Sequence, residues 1–130
     1  MCVANSARSQ LAEGLARDLF GSSAIVESAG SQPSTVNPLA VQVMKESGID
    51  ISSHYSKSFS DLNPSFTANL DYVITLCSEE VCPVVHSRAK KLHWPFPDPG
   101  KTGSEADRLQ EFRDVRDAIR EKLILFKAEI

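Results

Sequence analysis

Leu11, Leu15 and Leu19 recur every fourth residue, with Ala12, Ala16 and Phe20 beside them. That spacing predicts an amphipathic helix from near Ser9 to Gly21, where the glycine ends it. Residues 24–28 read as a short strand closed by Ala29 and Gly30, and residues 31–36 as a polar loop. Asn37-Pro38 starts a second helix, with Asn as cap and Pro at the first helical position. Leu39, Val43 and Met44 form its inner face, and Gly48 ends it. Residues 52–60 are polar and predict loop, and Asn63-Pro64 opens a short helical turn. Residues 72–76 are the clearest strand, apolar enough to be buried on both faces. Residues 91–94 are a second strand candidate, followed by a loop stiffened by Pro95, Pro97 and Pro99. Ser104 caps a long final helix with Asp107 in the capping-box position. Its apolar stripe is Leu109, Phe112, Val115, Ile119, Leu123 and Phe126.

Strands alternating with helices predict an α/β fold, a central parallel sheet flanked by helices in one domain spanning residues 1–130. In such a sheet a loop that binds an anion leaves the C-terminal end of a strand. The candidate loop here starts at Cys2, with only Met1 before it. The first strand is therefore expected to be missing from this chain.

That loop carries the strongest chemistry. Cys2-Val3-Ala4-Asn5-Ser6-Ala7-Arg8-Ser9 joins a thiol, small residues and a guanidinium to the start of the first helix. Successive N–H groups of such a loop can curl into an anion-binding concavity. The helix adds its unpaired N–H groups and the positive end of its dipole. Arg8 can grip two oxygens of a tetrahedral anion at once. The same field favours the Cys2 thiolate, the nucleophilic form. Ser9 is placed to donate to that sulfur, and Asn5 suits a left-handed turn in the loop. The spacing of Cys2 and Arg8 alone also fits a buried thiol and an unrelated surface Arg. The loop composition and the adjoining helix point to the anion trap.

Composition narrows the setting. The chain has 130 residues, 42% hydrophobic and 24% charged, as an ordinary globular protein does. A net charge of −3 suggests no nucleic-acid partner, and no apolar run approaches a membrane span. The three cysteines, Cys2, Cys77 and Cys82, are not a secreted disulfide framework and fit a reducing cytoplasm. The size allows a monomer. Taken singly, Cys77 reads as a core thiol at a strand end and Cys82 as a surface thiol. Found with Cys2 they suggest a relay, each thiolate attacking a sulfur it can reach. Asp98, on the Pro-rich loop, reads equally as a general acid or as a turn-forming residue. His86 and His93 match no tight zinc pattern with Cys77 and Cys82, so no metal site is expected. His54 reads as a satisfied structural side chain.

The stretch from Cys2 to Gly14 resembles the anion loop and first helix of the low-molecular-weight protein tyrosine phosphatase fold. Ser28-Ala29-Gly30, Asn37-Pro38, Asp50-Ile51-Ser52, His54, Ser56-Lys57, residues 73–77, Cys82-Pro83, His93-Trp94 and Asp98-Pro99 carry the likeness along the chain. Together they resemble the cytosolic arsenate reductases of that fold, the type usually coupled to thioredoxin. The resemblance implies that Cys2 attacks arsenate while Arg8 and the N–H groups of residues 3–8 (Val3, Ala4, Asn5, Ser6, Ala7, Arg8) bind it. Ser9 would stabilise the Cys2 thiolate, Asp98 would be the general acid, and Cys77 and Cys82 would form the shuttle disulfide. Asn5, Glu13 and Ser28 match residues that support the loop, in some members around a potassium ion. Lys57 stands where potassium-binding members carry an acidic residue, and its ammonium is expected to replace the cation. No tightly bound cofactor is implied. The partner would be an external thiol reductant, thioredoxin or a glutaredoxin-like protein.

Two other readings compete. A phosphatase on phosphotyrosine or small phosphomonoesters needs only Cys2, Arg8 and Asp98. Gly100 after Pro99, and a loop without aromatics after Gly30, favour a small inorganic substrate instead. A non-catalytic oxyanion-binding protein would bind without turnover.

Overall fold

The computed structural model describes residues 1–78 and 84–130. Among them the helices and strands run α1 (Arg8–Phe20), α2 (Pro38–Glu46), α3 (Pro64–Ala68), β1 (Tyr72–Thr75), β2 (Lys90–His93) and α4 (Glu105–Glu129). β1 and β2 pair in parallel, Val73 opposite Lys91 and Ile74 opposite Leu92. The ladder runs past the strand ends, where the Trp94 N–H donates to the Thr75 carbonyl (2.8 Å) and the Phe96 N–H to that of Leu76 (3.2 Å).

The sheet continues on the other side of β1 in fragments. The Leu76 N–H donates to the Met1 carbonyl (3.0 Å), and the Met1 amino group to the Ile74 carbonyl. Cys2 bridges Gly30 in parallel, and Gly30 bridges Ser58 in parallel. The lateral order is thus β2, β1, residues 1–2, residues 29–30, residues 57–58. This is the expected α/β sheet with its outer lanes cut to one or two residues.

Two expectations change. Residues 24–28 form no strand. The neighbouring lanes reach only Ala29 and Gly30, so the earlier residues have no parallel partner, and Ile25 is left 82% exposed. β1 is not buried along its length: Val73 is buried, Ile74 and Thr75 half-buried, and Tyr72 exposed. A two-stranded ladder with fragmentary neighbours covers its middle better than its start.

The helices pack as their periodicity predicts. Leu11 and Leu15 of α1, Ala40, Val43 and Met44 of α2, and Phe112, Val115, Ile119 and Leu123 of α4 form the main core with Leu76 and Trp94. Each such large side chain stabilises the fold by roughly 1.5–3 kcal/mol when fully buried. Leu109 and Phe126 lie half-buried at the ends of the α4 stripe. Phe126 meets Phe20, Tyr72 and Trp94 edge-on. The alternation of β1 sends Val73 to the opposite face, against Val85, Ala89, Met1, Phe59 and Leu70.

Capping differs between the helices. Asn37 accepts from the Leu39 N–H at 2.9 Å to start α2, and Ser104 and Asp107 close a capping box on α4. Ala7 gives α1 no side-chain cap. The N-cap residue of α1 thus supplies no side-chain oxygen to the first N–H groups of the helix.

Candidate active site

The loop from Cys2 to Arg8 is held from outside, one carbonyl at a time. The Val3 carbonyl accepts from the Gln32 N–H (2.9 Å), Ala4 from Ser34 (3.1 Å) and Ser6 from Asn37 (3.0 Å). The Asn5 carbonyl accepts from the Ser56 hydroxyl (2.6 Å) and the Gln10 amide (3.2 Å). The described chain has no cis peptide, so each peptide N–H points opposite its own carbonyl. Four successive carbonyls turned outward therefore turn the N–H groups of Ala4, Asn5, Ser6 and Ala7 inward. With the start of α1 they form a concave cradle of N–H donors, the kind of arrangement that suits an anion.

Gly30 makes this curl possible. A Cβ there would lie 2.3 Å from the Val3 carbonyl oxygen and 2.9 Å from the Asn5 nitrogen. Only a hydrogen fits where the loop crosses the sheet. Asn5 takes the left-handed conformation expected of it, at φ 49°. Its buried side chain fixes that turn by donating to the hydroxyls of Ser9 (2.8 Å) and Ser28 (2.9 Å) and accepting from the Lys57 N–H (3.0 Å) and Gln10 (2.9 Å).

Beneath the loop lies a buried charge cluster. One oxygen of Glu13 accepts from the Ser28 N–H (2.8 Å), the Ser28 hydroxyl (2.7 Å) and the Lys57 ammonium (3.1 Å). The other lies 3.2 Å from His54 Nδ1 and 3.6 Å from the Arg17 guanidinium. Burial alone would raise the Glu13 carboxyl, but the Ser28 hydroxyl and Lys57 outweigh it and hold it below the usual carboxylate value. Burial pushes the His54 imidazole down; Glu13 opposes this, and Arg17 and Lys57 reinforce it. The Lys57 ammonium sits on the Glu13 carboxylate, and among the described residues no group of three or more His, Cys, Asp or Glu could hold a metal ion.

The opposite rim is built by β1 and the Pro-rich loop. The Met1 hydrogen bonds set residues 1–2 beside residues 75–76, so Cys2 and Cys77 leave neighbouring parallel lanes at one edge. Both are buried. Arg8, 5% exposed, donates to the carbonyls of Phe96 (3.0 Å) and Leu76 (3.4 Å). Its Nε lies 3.9 Å from Asp98, which also meets Lys101 at 3.3 Å. Arg8 thus joins the cradle, the Cys77 edge and the Asp98 loop. Gly100, at φ 78°, donates its N–H to Glu111 of α4 at 2.9 Å.

The chain matches the sequence profile of the low molecular weight phosphotyrosine protein phosphatase family over residues 1–130. It belongs to that family. Within it, the chain is 41% identical over 129 residues to an arsenate reductase of Bacillus licheniformis, covering 97% of this chain and 91% of that protein. A solved arsenate reductase in a phosphate-binding state superposes with a TM-score of 0.80 at 34% identity, covering 99% of this chain and 94% of the other. A thioredoxin-dependent arsenate reductase of Corynebacterium glutamicum superposes at 0.69 and 31% identity, covering 99% of this chain and 60% of the other.

Of the residues expected from sequence, the structure of this phosphatase-family chain brings Cys2, the 3–8 loop, Arg8, Ser9, Asn5, Glu13, Ser28 and Lys57 into one assembly, with Cys77 and Asp98 on its rim. Cys82 lies outside the described residues. His54 is satisfied, as expected, by Gln10 (3.0 Å) and Glu13. His93 bonds Thr75 Oγ1 at 2.8 Å. Sequence reasoning missed Gln10, which is fully buried, and Ser56 and Glu111. A Gln beside Leu11 on the apolar face of α1 was the available signal for Gln10. Ser56 stood in the Ser56-Lys57 likeness with no role given to it, and nothing marked Glu111.

Proposed function

We propose that this enzyme reduces arsenate to arsenite. The observation that carries the reading is the cradle of inward N–H groups at Cys2, with a second thiol, Cys77, leaving the adjacent lane. Arsenate sits in the cradle, gripped by Arg8 and the N–H groups of residues 3–8. The Cys2 thiolate, stabilised by Ser9, attacks arsenic. The leaving oxygen takes a proton from Asp98 and departs as water. The Cys77 thiolate then attacks the Cys2 sulfur. The As–S electron pair passes to arsenic, arsenite leaves, and Cys2 and Cys77 are joined. Cys82 attacks Cys77, frees the Cys2 thiolate and leaves a Cys77–Cys82 disulfide. Thioredoxin or a glutaredoxin-like dithiol reduces that disulfide. Each cycle moves two electrons from the external dithiol to arsenic. We place the enzyme in the cytoplasm as a monomer of one domain.

The family match favours one second reading, hydrolysis of a phosphomonoester by Cys2, Arg8 and Asp98. Arsenate and phosphate share charge and shape, so binding does not separate the two; reduction does. The test supplies arsenate with thioredoxin, thioredoxin reductase and NADPH and follows NADPH loss. The wild type should turn over, Cys2→Ser should be inactive, and Cys77→Ser and Cys82→Ser should lose multiple turnover. Normal turnover by both shuttle variants would remove the relay. Phosphotyrosine hydrolysis without arsenate-dependent NADPH loss would favour the phosphatase.

A further inference from the structure

We infer that Gln10 is a positioning residue for the oxyanion: its carboxamide holds the Asn5–Ser6 peptide so that the Ser6 N–H faces into the cradle. The inference rests on the oxyanion site proposed above but not on the redox chemistry assigned to it.

Gln10 is the third residue of α1 and has no exposed surface. Its Nε2 lies 3.2 Å from the Asn5 carbonyl, 2.9 Å from Asn5 Oδ1 and 3.1 Å from the Tyr55 carbonyl. All three are acceptors, so the amide nitrogen must face them, and two hydrogens serve three oxygens. The amide oxygen then faces His54 Nδ1 at 3.0 Å, which places the imidazole proton on Nδ1. The side chain is therefore a strut from the 54–55 segment to the left-handed residue of the loop.

Asn5 is where such a strut is needed. It is the one described non-glycine residue with positive φ, a conformation that costs an L-residue roughly 1–2 kcal/mol. Rotating the peptide after it would aim the Asn5 carbonyl into the cradle, against an anion. The carbonyls of Val3, Ala4 and Ser6 are held by backbone N–H groups, whereas that of Asn5 is held by two side chains, Gln10 and Ser56. This peptide is thus the point of the cradle most open to change by substitution.

The test measures inorganic phosphate affinity by calorimetry in wild type, Gln10→Met, Ser56→Ala and the double variant, with arsenate kinetics alongside. Met matches the length of Gln without its donors. Gln10→Met should weaken phosphate binding on the order of tenfold. KM for arsenate should rise in step and kcat should change less. Because both side chains hold one carbonyl, the double variant should lose more or less than the product of the single losses. Unchanged phosphate affinity in a folded Gln10→Met, or strictly independent losses, would overturn the inference. Should Gln10→Met not fold, the wild type still decides. Phosphate binding and the Gln10 bonds must strengthen each other, so phosphate should slow hydrogen exchange of the Gln10 side-chain amide. No slowing would overturn the inference. A wild type that binds phosphate but does not reduce arsenate would remove the reductase reading and leave Gln10 standing.

Discussion

The two walls of the site are built by different rules. On one side, the cradle of residues 2–8 has its outward carbonyls bonded to residues 32, 34, 37, 56 and 10, and Asn5, Ser28, Glu13 and Lys57 are buried beneath it. On the other, Asp98 is partly exposed, its nearest cations are 3.3 and 3.9 Å away, and Lys101 is largely in solvent. In the proposed mechanism the first wall binds by preorganised dipoles, which must be fixed before the anion arrives. In the same mechanism the second delivers a proton, which requires access to water and tolerates looser placement. Single substitutions should accordingly be severe in the cradle and graded on the acid side.

Gly30→Ala should be the most severe. Its Cβ would meet backbone, which has no flexible end to move aside. The loop must lift, and a displacement near 1 Å costs more than about a hundredfold in rate. Phosphate affinity and arsenate turnover should both fall, and the melting temperature with them. A Gly30→Ala variant with normal phosphate affinity would show that the cradle is not seated on this glycine.

Lys57→Met should come next, through stability. It leaves the Glu13 carboxylate buried without its nearest cation, and breaking a buried pair costs about 3 kcal/mol. Urea unfolding reads this directly. If the ammonium takes the place of a bound cation, potassium should leave the wild type unchanged and restore part of the loss in Lys57→Met. A wild type stabilised or activated by potassium would contradict that role.

The same cluster sets the response to acid. Glu13 titrates below its ordinary 4.5 in the folded state and His54 below its ordinary 6.5. In both cases the unfolded chain binds the proton first, so stability rises with pH. His54 should contribute a decline as pH falls through and below 6.5, and Glu13 a second one beginning below 4.5. His54→Gln should flatten the upper limb and leave the lower one. Urea midpoints between pH 8 and 4 check both; an unchanged upper limb would exclude His54.

Legibility in the sequence divides along the same line. The cradle could be read because its chemistry is local: Cys2, Asn5, Arg8 and the α1 stripe lie within twenty residues. The stripe of α4 was legible because one period repeats through it. The strand at 24–28 was misread because strand formation depends on neighbours, and the lanes beside it end at Ala29 and Gly30. Gln10 and Glu111 were missed because each acts through one hydrogen bond network assembled only on folding. The convergence of Cys2 with Cys77 was inferred from strand ends sharing an edge, and the Met1 hydrogen bonds supply the register that inference lacked.

On the acid side the effects should be smaller and ordered. Asp98→Asn keeps the shape of the loop and removes the proton, so kcat should fall by about a hundredfold with little change in phosphate affinity. Glu111 lies on α4, outside the residues that form the cradle. It accepts the Gly100 N–H and so fixes the turn two residues after Asp98, with Phe112 packed where a Gly100 side chain would stand. Glu111→Ala should therefore lower kcat by a few fold, while Glu111→Gln, which still offers an oxygen acceptor, should restore most of it. The pair of variants separates positioning from charge. If Gln behaves like Ala, the carboxylate matters through its field and not through its hydrogen bond. If both lower phosphate affinity as much as kcat, the acid loop is part of the binding wall, and the contrast between the two sides disappears.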